Sequence, residues 1–434
     1  MSERLRPPLP AGPWLVVGLA RSGIAAARAL LARGERVVGV DGGSPEVPEG
    51  IEAHVHTDGL AYLRHARAVV KSPGVPREAA VVAAARARGV PVLGELELGW
   101  RLVPNEFVAV TGTNGKTTTV QLLGHIHREA GMPVAVAGNV GDAVSGLVGS
   151  LDPEAVVVCE ASSFQLEDTL QFAPEGAVLL NVEPDHLDRH GTLEDYVAAK
   201  LRIFALQGND DVAVAPTGLD VDDLGGCARR VCFGPGGELD DRAGFLWWDD
   251  EPLIAHDEIR LRGAHNRANA AAAAAVALAR GIDRDAVRAG LRTFAGVEHR
   301  LEDVGVVDGV GYVNDSKATN VASTLVALAS FGGVPVHLIL GGIGKGQSFA
   351  VLRGRAAAAY LIGEAAEQLE REVGGVVCGD LATAVARARA AARPGEVVLL
   401  SPACASFDQF ADYEARGRAF KALVAGLGSG SQPG

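Results

Sequence analysis

Residues 110–119, VTGTNGKTTT, combine the residue types that bind phosphate. An apolar strand pattern precedes the glycine turn, and Lys116 and Thr117 stand where a helix would begin. In such a turn backbone N–H groups hold phosphate oxygens, the lysine contacts the outer phosphates and the threonine hydroxyl reaches Mg²⁺. Val110 replaces the first glycine of the strict P-loop pattern, so a turn without a ligand is the alternative. The flanking strand and helix favour nucleotide binding.

Carboxylates follow two other apolar strands of the same region. Glu160 ends the strand AVVVCE, and the segment NVEPDHLDRHG (181–191) places His186 among Glu183, Asp185 and Asp188. Each group alone is typical of a solvated loop. Parallel strands bring their carboxyl ends to one edge of a sheet, where oxygen ligands hold Mg²⁺. Beside a phosphate loop, these residues are candidates for binding the metal of a nucleotide.

Lysine is rare in this chain, since only six of the 40 Lys and Arg residues are lysines. One of them, Lys200, falls within the apolar stripe of a predicted helix at 194–204, between Tyr196 and Phe204. The ordinary explanation is that the stem is buried and the ammonium group reaches water. The alternative is a desolvated amine, whose pKa would be lowered so that it is neutral part of the time.

Three further loops follow predicted strands near the C-terminus: NDSKATN (314–320), GGIGKG (341–346) and SPACASFDQF (401–410). Two of them carry rare lysines, and the third is a small-residue turn whose N–H groups could hold a carboxylate. Together they predict a site for an anionic ligand.

Near the N-terminus, GLARSG (18–23) with Asp41 partly matches a dinucleotide-binding pattern. Ala20 replaces the middle glycine and the spacing is short. A tight strand–helix turn that holds no NAD is therefore favoured over a NAD site.

Strands alternate with helices along the chain, and these elements must position the residues described above. The alternation predicts a doubly wound α/β fold. We expect an N-terminal Rossmann-like domain over 1–95 and a central P-loop-type mononucleotide-binding domain over 96–297. A C-terminal Rossmann-like α/β domain over 298–427 and a flexible tail over 428–434 would complete the chain.

Composition narrows the function classes. The 434 residues carry a formal net charge of −13, which disfavours nonspecific nucleic-acid binding. The five cysteines never show CxxC spacing, which argues against a disulfide framework or a zinc site and favours a reducing compartment. Since neither a signal peptide nor a long apolar run is evident, we expect a cytoplasmic protein with no membrane partner.

In their order along the chain, TGTNGKTT, ASSFQLE, NVEPDHLDRHG, YVAAKLRI, HNRANAAAA, HRLE, NDSKATN and LLSPACASFDQF resemble the motifs of the Mur ligases. NDSKATN and SPACASFDQF favour the member that adds D-glutamate. The resemblance implies an ATP-dependent, ADP-forming ligase of bacterial peptidoglycan precursor synthesis. Its implied substrates are ATP, D-glutamate and UDP-N-acetylmuramoyl-L-alanine, with an acyl-phosphate intermediate. It further implies a monomer with two Mg²⁺ sites and a carbamylated Lys200.

The resemblance also implies residue roles. Catalysis would depend on Lys116, Glu160, His186 and Lys200, and metal binding on Thr117, Glu160, His186 and carbamylated Lys200. ATP would be bound by Gly112, Thr113, Asn114, Gly115, Lys116, Thr117, Thr118, Asn266, Asn269, Arg300 and Asp315. The UDP-sugar would be bound by Ala20, Arg21, Ser22, Asp41, Ser72, Gly74, Asn139, Ser162 and Gln165. D-Glutamate would be bound by Lys317, Thr319, Lys345, Ser406 and Phe407.

Other interpretations stay open at this point. Another Mur ligase or a folylpolyglutamate synthetase would share most of these motifs. An NAD-dependent oxidoreductase would rest on GLARSG alone. A noncatalytic ATP-binding regulator is disfavoured because the lysines of the motifs are all present.

Overall fold

The computed structural model describes residues 5–219, 225–344 and 346–428. The chain forms two compact units. Unit 1 comprises Met1–Ile259 and Ala268–Thr293, and unit 2 comprises Arg260–Arg267 and Phe294–Gly434.

The first sheet of unit 1 has five parallel strands in the order β3-β2-β1-β4-β5. Alternate residues of the first strand face opposite layers, Trp14 and Val16 packing with one cluster and Leu15 and Val17 with another. Both faces are therefore covered, as an all-parallel sheet requires. The elements are β1 (Trp14–Val17), β2 (Val37–Val40), β3 (Ala53–His54), β4 (Ala68–Lys71), β5 (Val92–Gly94), α1 (Arg21–Ala32), α2 (Leu60–Leu63), α3 (Ala80–Ala87) and α4 (Glu95–Leu102).

The second sheet of unit 1 has nine strands in the order β14-β13-β12-β11-β10-β9-β6-β8-β7. Its strands are β6 (Phe107–Thr111), β7 (Val134–Gly138), β8 (Val156–Glu160), β9 (Gly176–Leu179), β10 (Val212–Pro216), β11 (Arg229–Phe233), β12 (Leu239–Arg242), β13 (Phe245–Trp248) and β14 (Glu251–Ala255). The associated helices are α5 (Lys116–Glu129), α6 (Ser163–Leu166), α7 (Leu187–His190), α8 (Leu193–Leu201), α9 (Ala264–Ala279) and α10 (Arg284–Thr293). Since β6 pairs with both β8 and β9 in parallel, the ends of these three strands meet at one edge.

Helix α4 contacts both cores of unit 1. Leu96 and Trp100 pack in the core of the nine-stranded sheet, whereas Leu98 packs in that of the five-stranded sheet. The last three strands, β12 to β14, form an antiparallel meander that the sequence pattern did not predict.

Unit 2 contains a six-stranded sheet in the order β15-β16-β20-β17-β18-β19. Only the pairing of β15 with β16 is antiparallel. The elements are β15 (Glu302–Val307), β16 (Val310–Asn314), β17 (Val336–Gly341), β18 (Ala358–Ile362), β19 (Val376–Gly379), β20 (Val397–Leu400), α11 (Val321–Ala329), α12 (Ala366–Glu372), α13 (Leu381–Ala391) and α14 (Tyr413–Gly428). Because β20 lies between β16 and β17, the three loops after these strands are neighbours.

The predicted α/β class with parallel-rich sheets is confirmed. Within the described residues, no helix combines the length and apolar character that crossing a membrane requires.

Candidate active site

The loop at residues 112–115, here called the nucleotide loop, joins the central strand β6 to α5. Gly115 has φ +86°, and a Cβ at this position would overlap the side chain of Asn269, so only glycine fits. Asn181, just after the neighbouring β9, accepts hydrogen bonds from the N–H groups of Thr113 (3.1 Å) and Asn114 (2.9 Å). Asn181 therefore fixes the loop. The signal for this role in the sequence is the position of Asn181 at the end of an apolar strand pattern.

Two lysine side chains converge on the nucleotide loop. The Lys116 Nζ donates to the carbonyl oxygens of Gly112 (2.8 Å) and Thr113 (2.9 Å), and the Lys200 Nζ donates to the same Gly112 oxygen at 2.7 Å. Lys200 is 1% exposed, and its Nζ lies 4.3 Å from the centre of the Tyr196 ring. Its ammonium group does not reach water, so the snorkelling alternative is wrong.

The environment of Lys200 favours the neutral amine. Burial, and after it the positive charge of Lys116, lower the pKa of Lys200 to about 7, although Asp185 acts in the opposite direction. A large fraction of Lys200 is therefore an uncharged nucleophile near neutral pH. The neutral form also relieves the repulsion between two cations that share one carbonyl oxygen.

Three polar side chains meet at the end of β8. The Thr117 hydroxyl donates to Glu160 Oε2 at 2.9 Å, and the Asn139 amide donates to Glu160 Oε1 at 2.9 Å. Glu160 is 1% exposed, and its negative charge lies beside the first turn of α5. A hydroxyl and a carboxylate are hard oxygen donors of the kind Mg²⁺ prefers, so these residues fit the metal of a nucleotide.

No group of three or more His, Cys, Asp or Glu side chains suited to a metal ion occurs among the residues that the structure describes.

His186 lies on the same side of unit 1, on an exposed segment. It has φ +52° and precedes α7, and its ring lies 4.9 Å from that of Phe164. The link to the nucleotide loop runs through Tyr196, whose hydroxyl lies 3.2 Å from Thr113 Oγ1 and whose ring lies 6.5 Å from that of His186. Of the neighbouring carboxylates, Glu183 accepts a hydrogen bond from the Asn114 amide at 3.0 Å. The side chain of Asp188 lies outside the described part.

At the first sheet, two residues predicted to bind the UDP-sugar hold the backbone. Asp41 accepts from the N–H groups of Leu19 (2.6 Å) and Gly43 (2.7 Å), and the Ser72 hydroxyl donates to the Gly18 carbonyl at 2.7 Å. These bonds shape the loops at the ends of β1, β2 and β4. If Asp41 or Ser72 also contacts a ligand, that contact is additional to holding the backbone of these loops.

The other residues of unit 1 that are predicted to bind the UDP-sugar include the N-termini of two helices, which differ in their capping. Helix α1 begins after Ala20 with Arg21, and it has neither a side-chain cap nor an acidic residue in its first turn. This end, which includes Ser22, is suited to an anion. Ser162 and Gln165, by contrast, form a reciprocal capping box at α6. The space beside Gly74 is open.

In unit 2 the loops after β16, β17 and β20 come together. Ile343 and Ala405 exchange backbone hydrogen bonds, and Ser401 donates to Asp315 at 2.8 Å. Burial raises the pKa of Asp315 to about 7, against the effects of its hydrogen bonds and of Arg300. The residues predicted to bind D-glutamate differ in exposure: Ser406 is buried, Phe407 is exposed, and Lys317 and Thr319 are intermediate. The Lys317 Nζ lies 5.7 Å from the centre of the Tyr413 ring. Lys345 lies outside the described residues. Asn266 donates to the Arg262 carbonyl at 2.8 Å.

Arg416 of α14, absent from the predictions, connects these loops. Its guanidinium donates to the Ser316 hydroxyl (3.0 Å) and to the carbonyl oxygens of Ser316 (2.9 Å), Cys404 (3.1 Å) and Gly341 (3.3 Å). It is 1% exposed, and burial lowers its pKa to about 10. All four acceptors are uncharged. No sequence signal distinguished this arginine from the others of its helix.

Family profiles match two parts of the chain. Residues 110–223 match the profile described as "Mur ligase middle domain", and residues 299–404 match that described as "Mur ligase, glutamate ligase domain".

Three bacterial relatives bear the name UDP-N-acetylmuramoylalanine–D-glutamate ligase. The protein of Anaeromyxobacter dehalogenans is 45% identical over 94% of this chain and 96% of its own. That of Rubrobacter xylanophilus is 44% identical over 95% and 98%, and that of Acidobacterium capsulatum 42% identical over 94% and 95%. The chain belongs to the Mur ligase family.

Solved structures agree on the fold. The chain resembles the UDP-N-acetylmuramate–alanine ligase MurC of Thermotoga maritima with a TM-score of 0.62 at 19% identity, covering 96% of this chain and 99% of the other. It resembles MurF of Acinetobacter baumannii with a TM-score of 0.57 at 19% identity, covering 97% and 91%.

Proposed function

We propose that this chain is an ATP-dependent ligase that joins the amino group of D-glutamate to the L-alanyl carboxylate of UDP-N-acetylmuramoyl-L-alanine. The products are the amide, ADP and phosphate, in the synthesis of peptidoglycan precursors. Relatives that share 42–45% identity over nearly the whole chain support this choice of substrates. The convergence of Lys116 and Lys200 on the nucleotide loop, beside Thr117 and Glu160, supports the chemistry.

A carboxylate does not condense with an amine directly, because it is a poor electrophile. Transfer of the ATP γ-phosphoryl group to the acceptor carboxylate gives an acyl phosphate and ADP. The D-glutamate amine then attacks the acyl carbon, its nitrogen loses one proton, and phosphate leaves with the electron pair of the C–O bond. The backbone N–H groups of the nucleotide loop position the phosphates, and the Lys116 ammonium offsets the charge of the transferred group.

We assign Mg²⁺ to Thr117 and Glu160, with His186 and Lys200 serving a second ion. Bound there, Mg²⁺ would neutralise phosphate charge. For Lys200 we propose carbamylation: the neutral amine attacks CO₂, forms an N–C bond and releases one proton, which gives a carbamate. The near-neutral pKa and the buried position support this assignment, because a carbamate replaces a buried cation with oxygen donors.

The other predicted roles stand as proposals. In unit 1, Gly112, Thr113, Asn114, Gly115, Thr118 and Asn269 serve ATP, and the residues at the ends of α1, β2, β4, β7 and β8 serve the UDP-sugar. In unit 2, Asn266, Arg300 and Asp315 serve the nucleotide, and Lys317, Thr319, Lys345, Ser406 and Phe407 serve D-glutamate. The three expected domains, 1–95, 96–297 and 298–427, would carry these functions in turn. We place the reaction in the bacterial cytoplasm, performed by a monomer.

The test is incorporation of radiolabelled D-glutamate into UDP-N-acetylmuramoyl-L-alanine, with ATP and Mg²⁺. Phosphate release is measured in parallel with L-glutamate, L-alanine and meso-diaminopimelate, and with a folate acceptor. We expect turnover only with D-glutamate and the UDP-sugar. Turnover with another amino acid, or with the folate acceptor alone, would assign the chain to a different ligase.

A further inference from the structure

The turn at residues 72–75, which follows β4, is held by two cations. The Lys71 Nζ donates to the Val75 carbonyl at 2.6 Å, and the Arg189 Nη1 donates to the Pro73 carbonyl at 3.1 Å. Arg189 Nη2 also approaches the Val75 oxygen at 3.5 Å. Lys71 belongs to the strand that leads into the turn, whereas Arg189 comes from α7, more than 100 residues later. The conformation of this turn thus depends on a distant part of the chain.

The other contacts of Arg189 lie within the nine-stranded half of unit 1. Its Nη2 donates to Glu167 Oε1 at 2.6 Å, and its guanidinium carbon lies 4.2 Å from the centre of the Phe164 ring. That ring in turn stacks on His190 at 5.4 Å and lies 4.9 Å from His186. Arg189 therefore connects the 72–75 turn to the segment on which His186 lies.

We propose that Arg189 is a positioning residue for the UDP-sugar acceptor. It fixes the 72–75 turn in the conformation that binds the acceptor, and it holds this turn at a constant place relative to the His186 segment. The inference rests on the proposed function, because Ser72 and Gly74 are acceptor-binding residues only there. Arg189 itself need not contact the substrate.

The chemistry of the guanidinium explains why an arginine stands here. Its planar fork donates to a backbone carbonyl with one nitrogen and to the Glu167 carboxylate with the other, while its face stacks on Phe164. A lysine ammonium is a point charge and cannot satisfy these three directions together. The side chain is 18% exposed, so water replaces the lost contacts only in part.

A purely structural role is the alternative, and Arg280 provides a matched control. Its side chain is 21% exposed, and it pairs with Glu106 at 2.5 Å and donates to the Asp210 carbonyl at 3.2 Å. Arg280 thus also joins a carboxylate to a backbone carbonyl in the same unit, but neither of these partners belongs to the 72–75 turn.

The experiment compares Arg189→Met, Arg189→Lys and Arg280→Met in the full-length enzyme. For each variant the Michaelis constants for the UDP-sugar, D-glutamate and ATP are measured, together with kcat and the thermal unfolding midpoint. We expect Arg189→Met to raise the Michaelis constant for the UDP-sugar at least tenfold and those for D-glutamate and ATP less than twofold. Arg189→Lys recovers part of the loss. Arg280→Met lowers the unfolding midpoint comparably but leaves all three constants unchanged.

The outcomes separate the two proposals. A wild-type enzyme that does not use the UDP-sugar contradicts the proposed function. A wild-type enzyme that turns over, with the UDP-sugar constant equal in Arg189→Met and Arg280→Met, contradicts only the role of Arg189. If Arg189→Met does not fold, Arg189→Lys decides: an unchanged UDP-sugar constant in that variant overturns the inference.

Discussion

Cations that donate to backbone carbonyl oxygens serve opposite purposes in the two units. At the nucleotide loop of unit 1, Lys116 and Lys200 both donate to the carbonyl oxygen of Gly112, and burial, followed by the charge of Lys116, lowers the pKa of Lys200. In unit 2 the guanidinium of Arg416 is shared among four uncharged oxygens of three loops. The first arrangement concentrates positive charge, and the second distributes it.

The two lysines at the nucleotide loop form a positive site suited to an anionic ligand, whereas Arg416 stabilises the loops that it connects. Two ammonium groups at one carbonyl repel each other, so an added phosphate or the loss of a proton improves their energy. A buried guanidinium that already donates to four oxygens gains little from an added anion, but its removal leaves buried acceptors short of a donor. Substitution of Lys116 or Lys200 should therefore affect catalysis first, and substitution of Arg416 should affect stability first.

The largest effect is expected for Lys116→Met. The variant loses the charge that would offset the transferred phosphoryl group, and we expect kcat to fall by about 10³-fold or more. The unfolding midpoint should stay constant or rise, because the repulsion with Lys200 is removed. Steady-state kinetics and calorimetry check both parts. A stable variant with wild-type kcat would show that the charge at this loop is not catalytic.

Lys200 is the second test of the same region. We expect Lys200→Ala and Lys200→Arg to lose nearly all activity, since neither forms a carbamate. Formate or acetate should partly rescue the alanine variant, because a small carboxylate can occupy the position of the carbamate. The arginine variant is the control, as its side chain fills that space.

A direct signature of the carbamate is a ¹³C resonance that appears with labelled bicarbonate in the wild type and not in Lys200→Arg. Full activity in either variant would refute the carbamate.

Arg416→Met should affect stability first, which is the reverse of the result expected for the variants of Lys116 and Lys200. The loss of one donor group leaves the carbonyls of Ser316, Cys404 and Gly341 short of a partner, so we expect a loss of unfolding free energy on the order of 3 kcal/mol. The Michaelis constant for D-glutamate should rise with it, whereas that for the UDP-sugar should not. Chemical denaturation and kinetics measure the two quantities. Arg416→Lys keeps the charge but not the fork, and a variant of this kind as stable as wild type would refute the bracing role.

The fold class and the residues of the nucleotide site depend on local sequence patterns, and these features were predicted from the sequence. Strand and helix periodicity led to the α/β class, and the glycine loop, Glu160 and Lys200 all lie where strand ends and an apolar stripe placed them. Arg189, Arg416 and Asn181 were not predicted as functional. Their roles arise from contacts between segments far apart in the chain, and no spacing rule records such contacts.

The meander β12 to β14 was missed for a different reason. Its strands are short, its turns contain Asp and Gly, and it adds to the sheet at the edge strand β11, to which β12 is paired only through Phe233 and Leu239. Pairing with an existing edge, rather than local propensity, determines such strands.

The expected effect that is smallest over a single pH unit is a pH dependence of stability that differs between the units. Lys200 has a folded-state pKa of about 7 against 10.5 for the ordinary side chain, so the unfolded chain binds more protons between these values and the stability of unit 1 rises as pH increases from 7 to 10. Asp315 has a pKa of about 7 against 3.8, so the folded state binds more protons and the stability of unit 2 falls as pH rises from 4 to 7. Each slope is at most about 1.4 kcal/mol per pH unit.

Amide hydrogen exchange, read separately in the strands of the nine-stranded and six-stranded sheets, resolves the two slopes in CO₂-free buffer. Lys200→Met should remove only the slope of unit 1, and Asp315→Asn only that of unit 2. A slope in unit 1 that is unchanged by Lys200→Met would mean that Lys200 keeps its proton over this range and that another group of the unit titrates, such as Lys71, whose pKa burial also lowers. The shared carbonyl of Gly112 would then hold two permanent cations. In that case Lys200 could not supply the neutral amine that carbamylation requires. The pH slope of unit 1 therefore tests the carbamylation of Lys200.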